Sequence, residues 1–343
     1  MMMHKFQRST TMLVMLVLLL MLTACGQQGT SANGEAQSNE AGAASQSDSN
    51  SQEVRMIKHV LGETKITGTP KRVVVLEWTY AEDVLALGLQ PVGIADIKGM
   101  NQWVRLPVEI SKDVVDVGDR STPNMETIAA LKPDLIIGLK NNLEKNYEAF
   151  SKIAPTLVFD PYPVDESFDQ YTEMTNTFTA IADALGKQKE AEAVLADLDK
   201  AYAAAKEKIQ AAGMDKTPIV LAMGYSNQNA VVFRISTDNS MAVKILEHIG
   251  LTNKYKAKKF EPYGFTTADV EALPALQDAN FLHIIQDSDN VIENQLKNNP
   301  VWNGLSFVKE NRVYALGGDM WPYGGPLSAK MMAESTADLL TKK

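Results

Sequence analysis

Two arginines occupy positions suited to binding an anionic group. Arg120 lies in the loop Gly-Asp-Arg-Ser-Thr-Pro, and Arg234 interrupts the apolar run Val-Val-Phe-Arg-Ile. A guanidinium group stays protonated when it loses water, and its planar fork of N–H donors suits the oxygens of an anionic group such as a carboxylate. A charge inside an apolar strand costs free energy unless it faces water or a partner. Two alternatives stay open: Arg120 in a salt bridge with Asp119 or Asp116, and Arg234 facing solvent on an edge strand.

Aromatic side chains near the ends of predicted strands offer apolar walls for the same cavity. Each of them could instead be ordinary core or loop packing. The glycine pairs on either side of Trp-Pro-Tyr favour a loop that borders a cleft. The further ligand-binding candidates are Trp78, Trp321, Tyr323, Tyr225 and Arg105, and Lys98 and Trp103 could join them from the loop after the second predicted strand.

The residues that catalysis or direct metal capture requires do not occur in suitable patterns. The sequence has no Gly-x-Ser-x-Gly and no glycine-rich phosphate loop after a strand, and Glu77 lacks an evident catalytic partner. His59, His248 and His283 fall on a hairpin, a helix and a strand, whereas zinc or manganese sites need clustered ligands. We therefore expect that the protein is not an enzyme, that it needs no cofactor and that its side chains do not coordinate a metal ion.

The charge balance limits the partners of the chain. Its 343 residues include 42 Asp and Glu against 33 Lys and Arg, which gives a formal net charge of −9. An acidic protein repels nucleic acids and anionic lipid surfaces. An anionic ligand would therefore need a local cluster of arginines.

The first 24 residues predict a secretory signal peptide. Basic residues precede an apolar run from Met12 to Met21, which is shorter than the about 20 residues that a membrane span requires. Cys25, the only cysteine, follows Leu-Thr-Ala, as in the lipobox of bacterial lipoproteins; a plain signal peptide with a chance cysteine is the alternative. Residues 25–52 then predict a lipidated cysteine and a flexible polar tether. We expect a protein anchored by palmitate-type acylation to the extracytoplasmic face of the cell membrane, which suits a Gram-positive cell.

The remaining elements predict two α/β lobes. Short apolar runs, typical of buried strands, alternate with segments of helical period, which favours parallel sheets covered by helices. The predicted boundaries are an N-terminal lobe at 53–166, a long linking helix at 167–186 and a C-terminal lobe at 187–343. The two lobes show similar motifs in the same order, although α/β proteins share such similarity in general. Because ligands bind beyond the carboxyl ends of parallel strands, the candidate side chains should meet in a cleft between the lobes.

Four motifs carry a resemblance to a known family. They are Lys-Arg-Val-Val-Val-Leu-Glu-Trp-Thr-Tyr-Ala-Glu-Asp-Val-Leu-Ala-Leu-Gly (71–88), Pro-Val-Gly-Ile-Ala-Asp (91–96), Val-Gly-Asp-Arg (117–120) with Pro-Asn-Met-Glu-Thr-Ile-Ala-Ala-Leu-Lys-Pro-Asp-Leu-Ile-Ile (123–137), and Thr-Asp-Asn-Ser (237–240). With them the chain resembles the iron-siderophore solute-binding proteins of bacterial ABC importers, of the class III type. Within that family it is most similar to the ferric-citrate and hydroxamate branch.

The resemblance implies a fold, a ligand and a partner. It implies two rigid Rossmann-like lobes joined by one long helix, capture of a ferric siderophore between them, and delivery to an ABC permease. It also implies one carboxylate on each lobe that pairs with arginines of the permease, which matches Glu126 and Glu271, with Asp269 as the alternative to Glu271. We expect a monomer. Binding of another large cofactor, such as cobalamin or haem, stays an alternative.

Overall fold

The computed structural model describes residues 53–342. The predicted signal peptide (1–24), Cys25 and the tether that follows it therefore lie outside the described residues. The described chain begins with a hairpin in which β1 (Val54–His59) pairs antiparallel with β2 (Gly62–Thr67). Within this part of the chain, no helix combines the length and the apolar character that crossing a membrane requires.

The first lobe is built on a sheet of five parallel strands in the order β5-β4-β3-β6-β7. Its strands are β3 (Val73–Val75), β4 (Gly93–Ile94), β5 (Val115–Asp116), β6 (Leu135–Leu139) and β7 (Thr156–Phe159). Its helices are α1 (Trp78–Ala86), α2 (Ile97–Trp103), α3 (Met125–Ala130), α4 (Lys140–Leu143) and α5 (Tyr147–Ile153).

The continuous apolar run of β3 is explained by burial on both faces of this sheet. Val73 and Val75 pack into one core with α1, while Val74 and Leu76 pack into a second core on the opposite face. Neighbouring side chains of a strand point to opposite faces, so a strand covered on both sides is apolar throughout. This burial fixes the end of β3, from which Glu77 and Trp78 project.

Two consecutive helices follow the first lobe. Helix α6 (Gln170–Leu185) begins at Asp169, whose side chain accepts a hydrogen bond from Thr172 N at 2.7 Å, and ends at Gly186 in the left-handed conformation. Helix α7 (Gln188–Ala211) comes directly after it. Helix α6 contacts β1 and α1 on one side and helices of the second lobe on the other, so it lies between the lobes.

The second lobe contains a five-stranded sheet in the order β10-β9-β8-β11-β12. Its strands are β8 (Ile219–Asn227), β9 (Ala230–Ser236), β10 (Phe265–Ala268), β11 (Asn280–Ile284) and β12 (Val313–Ala315). Its helices are α8 (Met241–His248), α9 (Pro300–Gly304), α10 (Ser306–Lys309) and α11 (Pro326–Thr341), with shorter helical turns that include a 3-10 helix at Val270–Leu276. The two lobes pack into one compact unit.

The prediction of two α/β lobes is confirmed, with one difference in the second sheet. Strands β8, β11 and β12 are parallel, but β9 runs antiparallel to both β8 and β10, so the sheet is mixed and not parallel. A two-residue turn, Gln228-Asn229, joins β8 to β9, and both residues have positive φ (48° and 69°). Two-residue turns in which both residues have positive φ join neighbouring antiparallel strands in a tight hairpin.

Candidate functional site

The cleft between the lobes lies at the carboxyl ends of the parallel strands, as expected for sheets of this type. It contains two adjoining cavities of about 390 Å³ and 460 Å³. We call the first the helix-side cavity, because α6 lines it through Gln170, Glu173 and Thr177. We call the second the strand-side cavity, because β8 lines it through Met223 and Tyr225. The four residues that line both cavities are Arg120, Arg234, Trp321 and Tyr323.

Arg120 reaches the cleft from the loop that follows β5. Its Nη1 donates a hydrogen bond to Glu77 Oε1 at 2.7 Å, and its guanidinium lies 3.5 Å from the centre of the Trp78 ring. Neither Asp119 nor Asp116, the partners considered from the sequence, forms this ion pair. Within the described chain, only Nη1 of the guanidinium has a hydrogen-bond partner, so the other nitrogens can bind a ligand.

Arg234 enters the cleft from the opposite lobe. Its neighbours Phe233 and Ile235 point into the core of the second lobe, so the alternation of the strand turns Arg234 toward the cleft. Strand β9 lies between β8 and β10, which excludes the edge-strand alternative. Among residues 53–342 no carboxylate forms a salt bridge with Arg234. Its guanidinium lies 5.3 Å from the Tyr225 ring centre and 4.8 Å from that of Phe265.

Aromatic rings connect the two arginines. The Trp78 and Trp321 rings are 5.2 Å apart and edge-on, and Trp321 has the same relation and distance to Tyr323. Trp78 is almost fully buried and donates its indole N–H to Asp96 O at 3.1 Å, so it is both a core residue and a cavity wall. Burial raises the pKa of Tyr323 to about 12, although the nearby positive charge of Arg234 lowers it. At neutral pH this hydroxyl is a hydrogen-bond donor.

Other candidates from the sequence fall into two groups. Tyr225 lies within β8, not after a strand as predicted, and it lines the strand-side cavity together with Trp103. Arg105 lies outside both cavities: it is exposed and contacts Asp319 at 3.7 Å, beside a separate surface groove. Lys98 is exposed on α2 and also lines neither cavity.

The two predicted docking carboxylates occupy equivalent places in the two lobes. Glu126 is the second residue of α3, and Glu271 is the second residue of the 3-10 helix. Each helix is followed by a parallel strand of its lobe, β6 and β11 respectively. Both side chains are exposed. The Asp269 carboxylate instead caps its own helix and accepts a hydrogen bond from Glu271 N at 3.1 Å.

Several cavity residues have no counterpart in the sequence prediction. Tyr80 and Asp83 on α1, Tyr162 in the loop after β7, and Glu173 on α6 all line the helix-side cavity. The Pro-Tyr-Pro sequence around Tyr162 marks a loop after a strand, which was an available signal. Tyr80, Asp83 and Glu173 lie on the buried faces of α1 and α6. The helical pattern of a sequence shows that a side chain is on the buried face, but not whether it borders a cavity or packs in the core.

One buried carboxylate joins the first lobe to the last helix. Glu82 is fully buried and accepts hydrogen bonds from Ser328 N at 2.8 Å and Ser328 Oγ at 2.6 Å. It therefore caps the N-terminus of α11, whose own N-cap residue Gly325 has no side chain to do so. A Cβ on Gly325 would lie 2.4 Å from Asp83 Oδ1 and 3.1 Å from Glu82 Oε1. This glycine is thus required for close approach of α11 to α1.

Glu173 should make the stability of the protein depend on pH. Burial raises the pKa of its carboxyl from 4.5 to about 7, while a hydrogen bond from Thr177 Oγ1 at 2.5 Å opposes the shift. Because the folded state prefers the protonated acid, the stabilisation is complete below the unfolded pKa and is lost as the pH rises through about 7. We expect Glu173→Gln to raise the free energy of unfolding, relative to the wild type, by about 2–3 kcal/mol more near pH 8 than near pH 4.

Urea unfolding at the two pH values measures this difference. The matched control is Glu271→Gln, which removes an exposed carboxylate. A Glu173→Gln effect that is the same at both pH values would show that Glu173 has an ordinary pKa.

Similarity to known proteins agrees with this architecture. The model of the family described as "Periplasmic binding protein" matches residues 73–320. The Fe(3+)-citrate-binding protein YfmC of Bacillus subtilis is 33% identical over 273 residues, which cover 80% of this chain and 81% of that protein. The iron(3+)-hydroxamate-binding protein FhuD of Escherichia coli is 28% identical and covers 76% of this chain and 83% of its own length.

Solved structures show the same similarity. The siderophore-binding protein FhuD from Vibrio cholerae, bound to Fe3+-Desferal, superposes with a TM-score of 0.70 at 28% identity, covering 79% of this chain and 98% of that one. SirA of Staphylococcus aureus, in complex with staphyloferrin B, gives a TM-score of 0.64 at 26% identity, covering 84% and 99%.

Proposed function

The chain belongs to the periplasmic binding protein family, and on that premise we propose that it captures a ferric siderophore in its cleft. The ligand is of the citrate or hydroxamate type, and the protein delivers it to an ABC permease for iron uptake. It acts as a binding protein and not as an enzyme. Relatives whose names describe ferric citrate and ferric hydroxamate binding support this ligand class.

One observation carries the proposal: Arg120 and Arg234 reach the same cavities from opposite lobes. Ferric citrate and ferric hydroxamates present oxygens with negative charge around the metal, and guanidinium groups bind such oxygens through charge-assisted hydrogen bonds. A chelate whose oxygens accept hydrogen bonds from both arginines would hold the lobes together. In this arrangement iron is the cargo, and the siderophore supplies its ligands.

The walls and the size of the cleft suit the same ligand class. Each cavity falls within the roughly 300–1,000 Å³ that small-molecule sites occupy. The Trp78, Trp321 and Tyr323 rings provide apolar surface for the carbon backbone of a siderophore, while the arginines provide charge. This division resembles ligand sites in general, in which apolar walls surround a few polar groups that fix orientation.

Tryptophan fluorescence tests this function directly. Three of the four tryptophans, Trp78, Trp103 and Trp321, line the strand-side cavity, and Trp302 lies in the core of the second lobe. We therefore expect micromolar ferric citrate or a ferric trihydroxamate to quench most of the emission, and the iron-free chelators to quench less. No response to either ferric chelate, with quenching by haem or cobalamin instead, would favour the other cofactors and contradict the proposal.

The location of the protein forms part of the same proposal. A signal peptide at 1–24 and a lipidated Cys25 would hold the folded body at the outer face of the membrane, next to a permease. Relatives named as lipoproteins support this placement. Metabolic labelling with a palmitate analogue should mark the wild type and not Cys25→Ala.

The two exposed carboxylates, Glu126 and Glu271, are proposed to dock on arginines of the permease. Their equivalent positions at helix starts and their exposure support this role, and the capping function of Asp269 favours Glu271 over it. We expect the double variant Glu126→Arg/Glu271→Arg to lower uptake of a ferric chelate by cells roughly tenfold or more, because like charges would meet at the interface. Uptake of labelled iron measures the effect.

A matched control separates docking from general charge effects. Glu192→Arg reverses an exposed charge on α7 and should leave uptake unchanged. The affinity of the purified double variant for the chelate should equal that of the wild type. If the double variant supports normal uptake, these two glutamates do not form the docking surface.

A further inference from the structure

One wall of the cleft comes from the connection between β12 and α11. We call residues 317–325 of this connection the aromatic loop, because it carries Trp321 and Tyr323, and both of these side chains line both cavities. A pair of glycines stands at each end of the loop, so neither end has a side chain that could anchor it. The position of the two rings therefore depends on contacts that the rest of the protein supplies.

Side chains from both lobes hold the aromatic loop. Gln286, which follows β11 in the second lobe, donates a hydrogen bond to Gly318 O at 2.7 Å near the start of the loop. Thr79, on α1 of the first lobe, donates through its hydroxyl to Tyr323 O at 2.6 Å near the end of the loop. The Thr79 hydrogen bond therefore ties a loop of the second lobe to a helix of the first.

The Trp321 ring has no hydrogen bond of its own to fix it. Its indole N–H is buried and finds no acceptor in the part of the chain that the structure describes. The ring lies edge-on to Trp78 and to Tyr323, with ring centres 5.2 Å apart in each case. Packing alone holds the ring, so a shift of the loop backbone would move it.

The Tyr323 side chain continues the connection to the proposed ligand site. Burial raises the pKa of Tyr323, and the positive charge of the adjacent Arg234 guanidinium opposes this shift. Arg234 lies on β9 of the second lobe, whereas Thr79 lies on α1 of the first. Contacts therefore run from α1 through the backbone and the side chain of Tyr323 to an arginine that the chelate would contact.

From this series of contacts we propose that Thr79 is a positioning residue for ligand binding. Its hydroxyl fixes the backbone of Tyr323, so that the Tyr323 hydroxyl meets Arg234. The Trp321 ring, two residues earlier in the loop, is held against Trp78 in the same way. Thr79 acts through the loop and not by donating to the chelate, because Tyr323 O already accepts its hydroxyl proton. The inference rests on the proposed function, since it concerns affinity for a ferric chelate.

Matched substitutions of Thr79 test this role. Thr79→Val removes the hydroxyl and keeps the β-branched shape, and we expect it to bind a ferric trihydroxamate about 3- to 10-fold more weakly, the effect of one hydrogen bond. Thr79→Ser keeps the donor and should restore the wild-type affinity. The control is Thr179→Val, which removes an exposed hydroxyl that donates to Thr175 O within α6. This control should bind the chelate as the wild type does.

A double substitution separates positioning from direct contact with the ligand. Tyr323→Ala removes the side chain through which Thr79 is proposed to act, so adding Thr79→Val should lower the affinity little further. If the two losses of affinity instead add in full, Thr79 does not act through Tyr323 and the inference is wrong.

Amide hydrogen exchange of the ligand-free protein gives a second readout that needs no chelate. Peptides that cover residues 317–325 should exchange faster in Thr79→Val than in the wild type or in Thr79→Ser, because the loop opens more often. Unchanged exchange in this loop, or wild-type affinity of Thr79→Val, would overturn the inference and leave the proposed function intact. If the wild type binds no ferric chelate, the proposed function fails, and the exchange of the loop still decides whether Thr79 holds it.

Discussion

Replacing Arg234 with methionine should weaken binding of a ferric citrate or hydroxamate chelate by about 1–3 kcal/mol, or roughly 5- to 150-fold. The side chain has no acidic partner within the described chain, so its positive charge is not neutralised before the ligand binds. Methionine keeps much of the apolar volume and removes the charge. Because Arg234 stabilises no carboxylate, thermal unfolding of the free variant should stay close to that of the wild type. Fluorescence titration and thermal melts measure both quantities.

The companion variant Arg120→Met should behave differently. Arg120 forms an ion pair with Glu77, which is only 8% exposed. The substitution therefore leaves a buried carboxylate without its cationic partner. We expect this variant to lose affinity and also stability. Arg105→Met is the matched control, since Arg105 lies outside both cavities, and it should bind the chelate as the wild type does. If Arg120→Met and Arg234→Met both bind the chelate with wild-type affinity, neither arginine contributes to ligand binding.

Replacing Glu82 with alanine should lower the free energy of unfolding by roughly 2–5 kcal/mol, because each buried donor left without an acceptor costs about 1–3 kcal/mol. The substitution leaves Ser328 N, Ser328 Oγ and other amides at the start of α11 without their acceptor, in a region closed to water. Glu82→Gln should cost less, since its amide oxygen can still accept one of these hydrogen bonds. Urea unfolding near neutral pH gives the values.

An exposed glutamate on α11, the helix whose start Glu82 caps, provides the control. Glu334 is about half exposed and lies 4.0 Å from Lys330. Glu334→Ala should change stability by less than about 0.5 kcal/mol, as is usual for surface positions. A Glu82→Ala variant as stable as Glu334→Ala would mean that α11 does not depend on this cap.

Local patterns were sufficient to predict most of the framework. The apolar run before Glu77 is a strand because both sheet faces are covered. Helix α1 (Trp78–Ala86) ends just before Gly88, whose φ of 77° suits a glycine after a helix. The linking helix predicted at 167–186 is α6 at Gln170–Leu185, with caps at Asp169 and Gly186. Apolar runs and helix caps involve residues that are close together in the sequence, so they can be recognised from the sequence alone.

Contacts between distant segments could not be predicted in the same way. The hairpin of β8 and β9 was missed because its turn is Gln-Asn, whereas Asn-Gly is the strong signal for that turn type. The partner of Arg120 is Glu77, 43 residues away, and the group capped by Glu82 is 246 residues away. Arg105 follows α2, near a predicted cleft loop, but it turns toward Asp319 instead. Which side chains meet across two lobes depends on packing that no local pattern encodes.

Anomalous diffraction at the iron absorption edge, from crystals grown with a ferric trihydroxamate, tests the central claim most directly. The peak should lie between the guanidinium groups of Arg120 and Arg234, with chelate oxygens in hydrogen-bonding contact with both. An iron peak on the outer surface of either lobe, or a chelate in the cleft that contacts neither arginine, would contradict the account.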